Sequence, residues 1–223
     1  MPVHALVFDL DGTLVNTAPD LLAATNHVLA LDGLAPLETA QMNNFVGHGA
    51  KALLMRGFTA RGRTLEGEAL EMRYRAFLDF YMANIATAGS APYPGVLPLI
   101  ERAKAHGLGL AVCTNKLEGL SVRLMDELDL SRHFGAIIGP DTIGVAKPDA
   151  APYREAVRRL GVSVGQSLML GDSETDVLTA RAAGVPIIAV PFGFTPQPVE
   201  TYGPDHLVQH FDEVWPLLEK QYL

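Results

Sequence analysis

The chain has 223 residues, of which 48% are hydrophobic and 19% charged, a composition that supports a large buried core and excludes a disordered or fibrous protein. Its formal charge of -8 at pH 7 opposes broad attraction to nucleic acid or to an anionic membrane surface, so an anionic ligand needs a locally positive pocket. With Cys113 as its single cysteine the chain cannot hold an internal disulfide, and the apolar run around that residue reads it as a small core side chain.

The first apolar run, residues 3–10, reads as a buried strand with no basic segment ahead of it, so a cytoplasmic protein without a membrane span is expected. From about Thr17 to Asn84 strand-like runs stop, and helical patterning broken at Gly33, Pro36, Gly47, Gly49, Gly57 and Gly62 predicts a helical insert. Its first helix is expected to open with Thr17 as cap and Pro19 in the first turn and to end at Gly33. Its last helix sets Leu70, Tyr74, Phe77, Leu78 and Tyr81 on one stripe, which reads as core rather than as a ligand site. Gly89, Pro92, Pro94 and Gly95 then mark the return linker.

Beyond it, apolar runs at 108–114, 136–138, 168–170 and 186–190 alternate with helical spacing over 96–106, 117–128, 153–160 and 175–183. Together with 5–10 they predict an α/β fold whose parallel sheet is covered on both faces. Gly184 reads as a helix stop, and residues 192–195 as a loop near the carboxyl ends of the strands.

Chemistry gathers at four of these strand ends. Asp9 and Asp11, in Phe8-Asp9-Leu10-Asp11-Gly12-Thr13, leave a strand that should be central, where carboxylates are costly unless they meet a cation. Gly12 allows a turn that brings backbone amides towards an anion, so the segment suits a metal together with a phosphate. Read alone it is a common Asp-Gly turn. Thr114-Asn115 follows the second strand, Lys147-Pro148 the third, and Gly171-Asp172-Ser173-Glu174-Thr175-Asp176 the fourth, with Asp176 one helical turn beyond Asp172. Singly these read as a helix cap, a solvated lysine and an acidic helix start; the ordered set is what signals a site.

That set resembles the four motifs of the haloacid dehalogenase superfamily of phosphotransferases, matched by Asp9 to Thr13, Thr114, Lys147 and Asp172 to Asp176. The resemblance implies a doubly wound, mostly parallel, Rossmann-like sheet core, residues 1–16 and 88–223, with an inserted helical cap domain, residues 17–87. It implies that Asp9 is the nucleophile and Asp11 the acid that protonates the leaving oxygen and later activates water. Mg2+ is implied on the Asp9 carboxylate, the Asp11 main-chain carbonyl and the Asp172 carboxylate. Lys147 and Thr114 are implied to bind phosphoryl oxygens with the segment around Leu10, Asp11, Gly12, Thr13 and Asn115, and Asp176 and Ser173 to support the metal site from behind. Asp11 favours ester hydrolysis, because dehalogenases and phosphonate-cleaving relatives typically lack the second acid.

Within the cap, Val46-Gly47-His48-Gly49-Ala50-Lys51, together with Tyr93-Pro94-Gly95-Val96 and Cys113-Thr114-Asn115-Lys116, looks like the phosphoglycolate phosphatase subgroup. That likeness implies a small phosphorylated metabolite as substrate, best matched by 2-phosphoglycolate, with Gly47, His48, Gly49 and Lys51 as candidate contacts beside their alternative as ordinary loop residues. Asn16-Thr17 and Asp149-Ala150 depart from the family's commonest wording without removing a required group. A β-phosphoglucomutase-like phosphotransferase, a phosphatase for another sugar phosphate, and a receiver-like phospho-acceptor domain stay open as alternatives, as does the choice between monomer and homodimer.

Overall fold

The computed structural model describes residues 2–39 and 49–223. The apolar runs become β1 (Ala5–Phe8), β4 (Gly109–Cys113), β5 (Ala136–Ile138), β6 (Ser167–Gly171) and β7 (Ile187–Ala189). With a short edge strand β8 (His206–Leu207) they form a six-stranded sheet of order β5-β4-β1-β6-β7-β8 in which every pairing is parallel. β1 lies between β4 and β6, which makes the Asp9 end of the chain the centre of the sheet.

Side-chain alternation divides these strands between two cores. Leu6, Phe8, Leu110, Val112, Leu168 and Leu170 face one side, where α4 (Val96–Ala105), α5 (Glu118–Glu127) and α9 (Val214–Gln221) supply Ile100, Leu124 and Leu218. Val7, Ala111, Cys113 and Met169 face the other, against Tyr153 and Val157 of α7 (Ala150–Arg159) and Val177 and Ala180 of α8 (Glu174–Ala183). Burial on both faces explains why the strands read as unbroken apolar runs. A one-turn helix α6 (Pro140–Ile143) follows β5. Gly184 ends α8 in the left-handed conformation, as expected.

Between β2 (Val15–Asn16) and β3 (Ala91–Pro92), which pair antiparallel, lie the helices α1 (Ala18–Leu31), α2 (Ala50–Thr59) and α3 (Gly67–Ala83). No strand occurs between Thr17 and Asn84 among the described residues. Leu21, Val28, Leu54, Phe58, Phe77 and Tyr81 join these helices to the core on the α4 side of the sheet. Arg73 clasps Asp32 through two hydrogen bonds of 2.5 and 2.7 Å, linking α3 to the end of α1. Buried Asp20 accepts the Ala88 and Ser90 amides at 2.8 and 2.9 Å and the Ser90 hydroxyl, fixing α1 to the segment that returns to the sheet.

The start of α1 departs from expectation. Thr17 stands at the N-cap position, but its hydroxyl is buried without a partner among the described residues, and Asn16 Oδ1 accepts the Ala18 amide at 3.2 Å instead. Thr17 adopts a helical backbone, which turns its own side chain away from the amides it would cap. The two-residue strands β2 and β3, together with β8 and α9, escaped the sequence reading. Among the described residues no helix is long and apolar enough to cross a membrane.

Candidate active site

The site sits where β1, β4 and β6 end, the position at which open α/β sheets gather ligands. The Asp9 amide still donates to Leu170 O at 2.9 Å, so Asp9 leaves the sheet in line with β1. The chain then folds tightly, with Gly12 N donating to Val15 O at 2.9 Å and Val15 N to Leu10 O at 3.0 Å. Gly12 takes φ of 88°, and a Cβ there would stand 2.6 Å from Asp172 Oδ2, so both backbone and space require glycine.

Three carboxylates converge: Asp9, Asp172 and Asp176 each offer an oxygen, all within 4.8 Å of one another, and all three are buried. Lys147 Nζ stands 2.9 Å from Asp9 Oδ1 and 2.6 Å from Asp176 Oδ1. One ammonium paired with two of three buried carboxylates leaves excess negative charge in a poorly solvated place. Burial above all, helped by Asp176 and Asp11 and opposed by Lys147, pushes Asp9 up to about 7. Burial and the charges of Asp176 and Asp9 drive Asp172 well above the carboxylate range, while Thr13 and the Phe194 amide pull the other way. Lys147 is held above its ordinary value because Asp176 and Asp9 outweigh its burial. A hard divalent cation between Asp9 and Asp172 relieves this crowding with the oxygen donors it prefers, so the donor set fits a metal of that kind.

Asp176 is already occupied. Its Oδ1 takes Lys147, and its Oδ2 accepts the Asp172 amide at 3.2 Å, the Ser173 amide at 3.1 Å and the Ser173 hydroxyl at 2.7 Å. Asp172 is oriented by the Thr13 hydroxyl and the Phe194 amide, each 2.6 Å from one of its oxygens. The loop expected at 192–195 therefore does reach the site.

Asn115 sets Lys147: its amide donates to Lys147 O at 3.1 Å and its Oδ1 accepts the Lys147 N-H at 2.9 Å. Thr114 is fixed by its own amide on Ile138 O at 3.0 Å, and its hydroxyl accepts the Lys116 amide at 3.1 Å, leaving the hydroxyl hydrogen to donate.

A second ion pair lies beside the first. Lys116 Nζ donates to both oxygens of Asp11 at 2.8 and 3.0 Å and stands 4.7 Å from the centroid of the Tyr81 ring. Asp11 raises Lys116 above its ordinary value against the effect of burial. Because the ammonium sits over the ring, the contact with Tyr81 is a cation-π one, and the buried Tyr81 hydroxyl is left without a hydrogen bond among the described residues. Burial pushes that phenol up to about 12.

These groups line a cavity of about 770 Å³ of empty space continuous with solvent. Asp9, Asp11, Thr114, Asn115, Lys147, Asp172 and Ser173 are in its wall, facing Leu53, Tyr74, Phe77, Leu78 and Tyr81 from the helices between β2 and β3. Of the residues singled out in the sequence, Leu10 is buried in the core, Thr13 and Gly12 act on Asp172, and Gly49 meets the cavity as the residue before α2. Lys51 is exposed, 2.5 Å from Glu71 and outside the cavity wall. Gly47 and His48 lie outside the described residues. The sequence reading gave no role to Lys116 and read the α3 stripe as core alone, whereas Tyr74, Phe77, Leu78 and Tyr81 serve core and cavity together. The question of what neutralises Asp11 is the signal that leads to Lys116.

Residues 6–190 match the model of the haloacid dehalogenase-like hydrolases. A phosphoglycolate phosphatase of Caulobacter vibrioides is 47% identical over 94% of this chain and 88% of its own. The crystal structure of a predicted phosphoglycolate phosphatase from Haemophilus somnus superposes with a TM-score of 0.88 at 27% identity, over 96% of this chain and 97% of that one. CbbY of Rhodobacter sphaeroides, crystallised with a xylulose bisphosphate, superposes with a TM-score of 0.79 at 26% identity, over 95% and 96% of the two chains. With its parallel sheet, its cluster of acids at the strand ends and a family match over most of its length, the chain belongs to the haloacid dehalogenase-like hydrolases and is a phosphatase similar to the phosphoglycolate phosphatases.

Proposed function

We propose that this protein hydrolyses 2-phosphoglycolate to glycolate and phosphate through an aspartyl-phosphate on Asp9, with Mg2+ as cofactor and residues 17–87 acting as a cap over a core of 1–16 and 88–223. The observation that carries the reading is the buried convergence of Asp9, Asp172, Asp176 and Lys147 on one cavity. The 47% identity to a phosphoglycolate phosphatase supports the choice of substrate.

Asp9, Asp172 and the Asp11 carbonyl are the proposed ligands of Mg2+, which when bound offsets the charge repulsion between a carboxylate and a phosphate dianion. Asp9 attacks phosphorus, and the bond from phosphorus to the ester oxygen breaks. Asp11, once it has left its ion pair with Lys116 and taken up a proton from water, gives that proton to the ester oxygen, so glycolate leaves as the alcohol. The Asp11 carboxylate then takes a proton from a water that attacks the phosphorus of the acyl phosphate, which releases phosphate, regenerates the Asp9 carboxylate and returns the proton to Asp11. Lys147 and the Thr114 hydroxyl bind the phosphoryl oxygens throughout. Asp176 positions Lys147 and does not touch substrate. The helices between β2 and β3 exclude water from the acyl phosphate until glycolate has left.

Phosphate release from a panel of small phosphomonoesters, with Mg2+ and with chelator, tests the reading. Metal-dependent release led by 2-phosphoglycolate is the expected result, and no release from any ester overturns it. A second reading, hydrolysis or internal transfer on a sugar phosphate, is favoured by the bisphosphate bound in CbbY. Faster turnover of a sugar phosphate in the same panel would select it.

A further inference from the structure

We propose that Lys116 and the Tyr81 hydroxyl form a subsite for a second anionic group of the substrate, a carboxylate one carbon from the ester oxygen, whose place Asp11 holds until substrate arrives. The inference rests on the phosphatase reading above and concerns how that site chooses its substrate.

Three observations converge on it. Lys116 is buried yet lines the cavity, so its charge is displayed to whatever enters and not spent on the surface. Its ammonium is held by both oxygens of Asp11, the group proposed to protonate the leaving oxygen. Beside it Tyr81 lines the same cavity, and its hydroxyl is buried and lacks a hydrogen bond among the described residues. A buried hydroxyl without a partner is costly, and an anion lodged between it and the ammonium satisfies both donors.

Reach fixes the kind of anion. To protonate the ester oxygen, Asp11 must lie one hydrogen bond from it, and Lys116 stands 2.8 to 3.0 Å beyond Asp11. The ammonium is therefore within about two hydrogen-bond lengths, roughly 6 Å, of the ester oxygen. A carboxylate joined through a single carbon fits that span. When it takes the ammonium, Lys116 exchanges hydrogen bonds with Asp11 for hydrogen bonds with substrate, no covalent bond changes, and both Asp11 oxygens are released towards the leaving group. A substrate with a neutral tail leaves Lys116 on Asp11. Selection therefore acts on the chemical step as well as on binding.

The test compares kcat/KM for 2-phosphoglycolate, its homologue with one more carbon and ethyl phosphate, all with Mg2+. Wild type is expected to favour 2-phosphoglycolate over ethyl phosphate by about 100-fold or more, with the longer acid between them. Lys116→Met is expected to shrink that ratio by about 100-fold, and Tyr81→Phe, which removes one oxygen, by about 10-fold. A ratio unchanged in the variants while the rates on all three esters fall together means that Lys116 only braces Asp11, and overturns the subsite. Should Lys116→Met fail to fold, the ratio in Tyr81→Phe decides. Release with an unchanged ratio removes the subsite alone, whereas no release from any ester removes the phosphatase reading and the subsite with it.

Discussion

Asp176 and Lys147 form a buried pair in which one oxygen of the acid, 2.6 Å from the ammonium, fixes it while the other caps α8. The ammonium so held lies 2.9 Å from Asp9. Removing the charge of Asp176 while keeping an acceptor for the Ser173 amide isolates the first role. Asp176→Asn is expected to lower kcat about 100-fold, with stability reduced by about 3 kcal/mol, because one partner of a buried pair is lost. For a chain of this size that is a fall on the order of 10 °C in Tm. Steady-state kinetics and calorimetry check the two effects separately.

Asp9→Asn removes the proposed nucleophile and is expected to lower turnover by about 10⁴-fold or more. It also removes one charge from a crowded group of acids, so the metal-free variant should melt above metal-free wild type. Hydrolysis at the wild-type rate would defeat the assignment of Asp9.

The acidic cluster makes the metal-free protein sensitive to pH in a direction opposite to that of an ordinary salt bridge. Asp9 titrates near 7 in the folded chain against an ordinary 3.8, so between those values the folded state binds more protons than the unfolded one. Stability therefore falls as pH rises through that window, and the loss is complete above the folded value. Asp172 acts in the same direction. Calorimetry with chelator is expected to show Tm dropping by several degrees between about pH 5 and about pH 7.5, and excess Mg2+ is expected to restore it at the upper pH. A Tm indifferent to Mg2+ at the upper pH would count against a metal on these carboxylates.

Gly193→Ala probes the space around Asp172. A Cβ there would overlap the Asp172 carboxylate and displace it from the Thr13 hydroxyl and the Phe194 amide. The expected outcome is a loss of Mg2+ affinity of about 10- to 100-fold, read as a shift in the Mg2+ concentration needed for half-maximal rate.

Much of the core was legible because β1, β4 and β6 are buried on both faces and their sequences had to be continuously apolar. Asp9, Thr114, Lys147 and Asp172 were legible because each stands at a strand end, where a charged or hydroxyl residue next to an apolar run is conspicuous. The short strands β2, β3 and β8 were not, since two residues carry no periodicity. Lys116 was hidden by its ordinary local context; its role depends on Asp11, 105 positions away in the chain. Tyr81 was hidden by the stripe it belongs to, for a buried aromatic on a helix looks the same whether its hydroxyl end meets protein or cavity. Lys51 shows the converse, a cation in a suggestive segment that pairs with Glu71 on the surface.

Val15 and Asn16 lie side by side with Pro92 and Ala91. The chain thus leaves the α/β layer and re-enters it through neighbouring positions, about 5 Å apart across an antiparallel pair. Whatever hangs between those two points is tied to the sheet layer by the chain at this one pair of strands, and otherwise by side-chain packing on the α4 side alone. Exchanging these helices for those of another family member therefore has to preserve that packing, and is expected to change the choice of substrate only as far as Lys116, which stays with the sheet, allows.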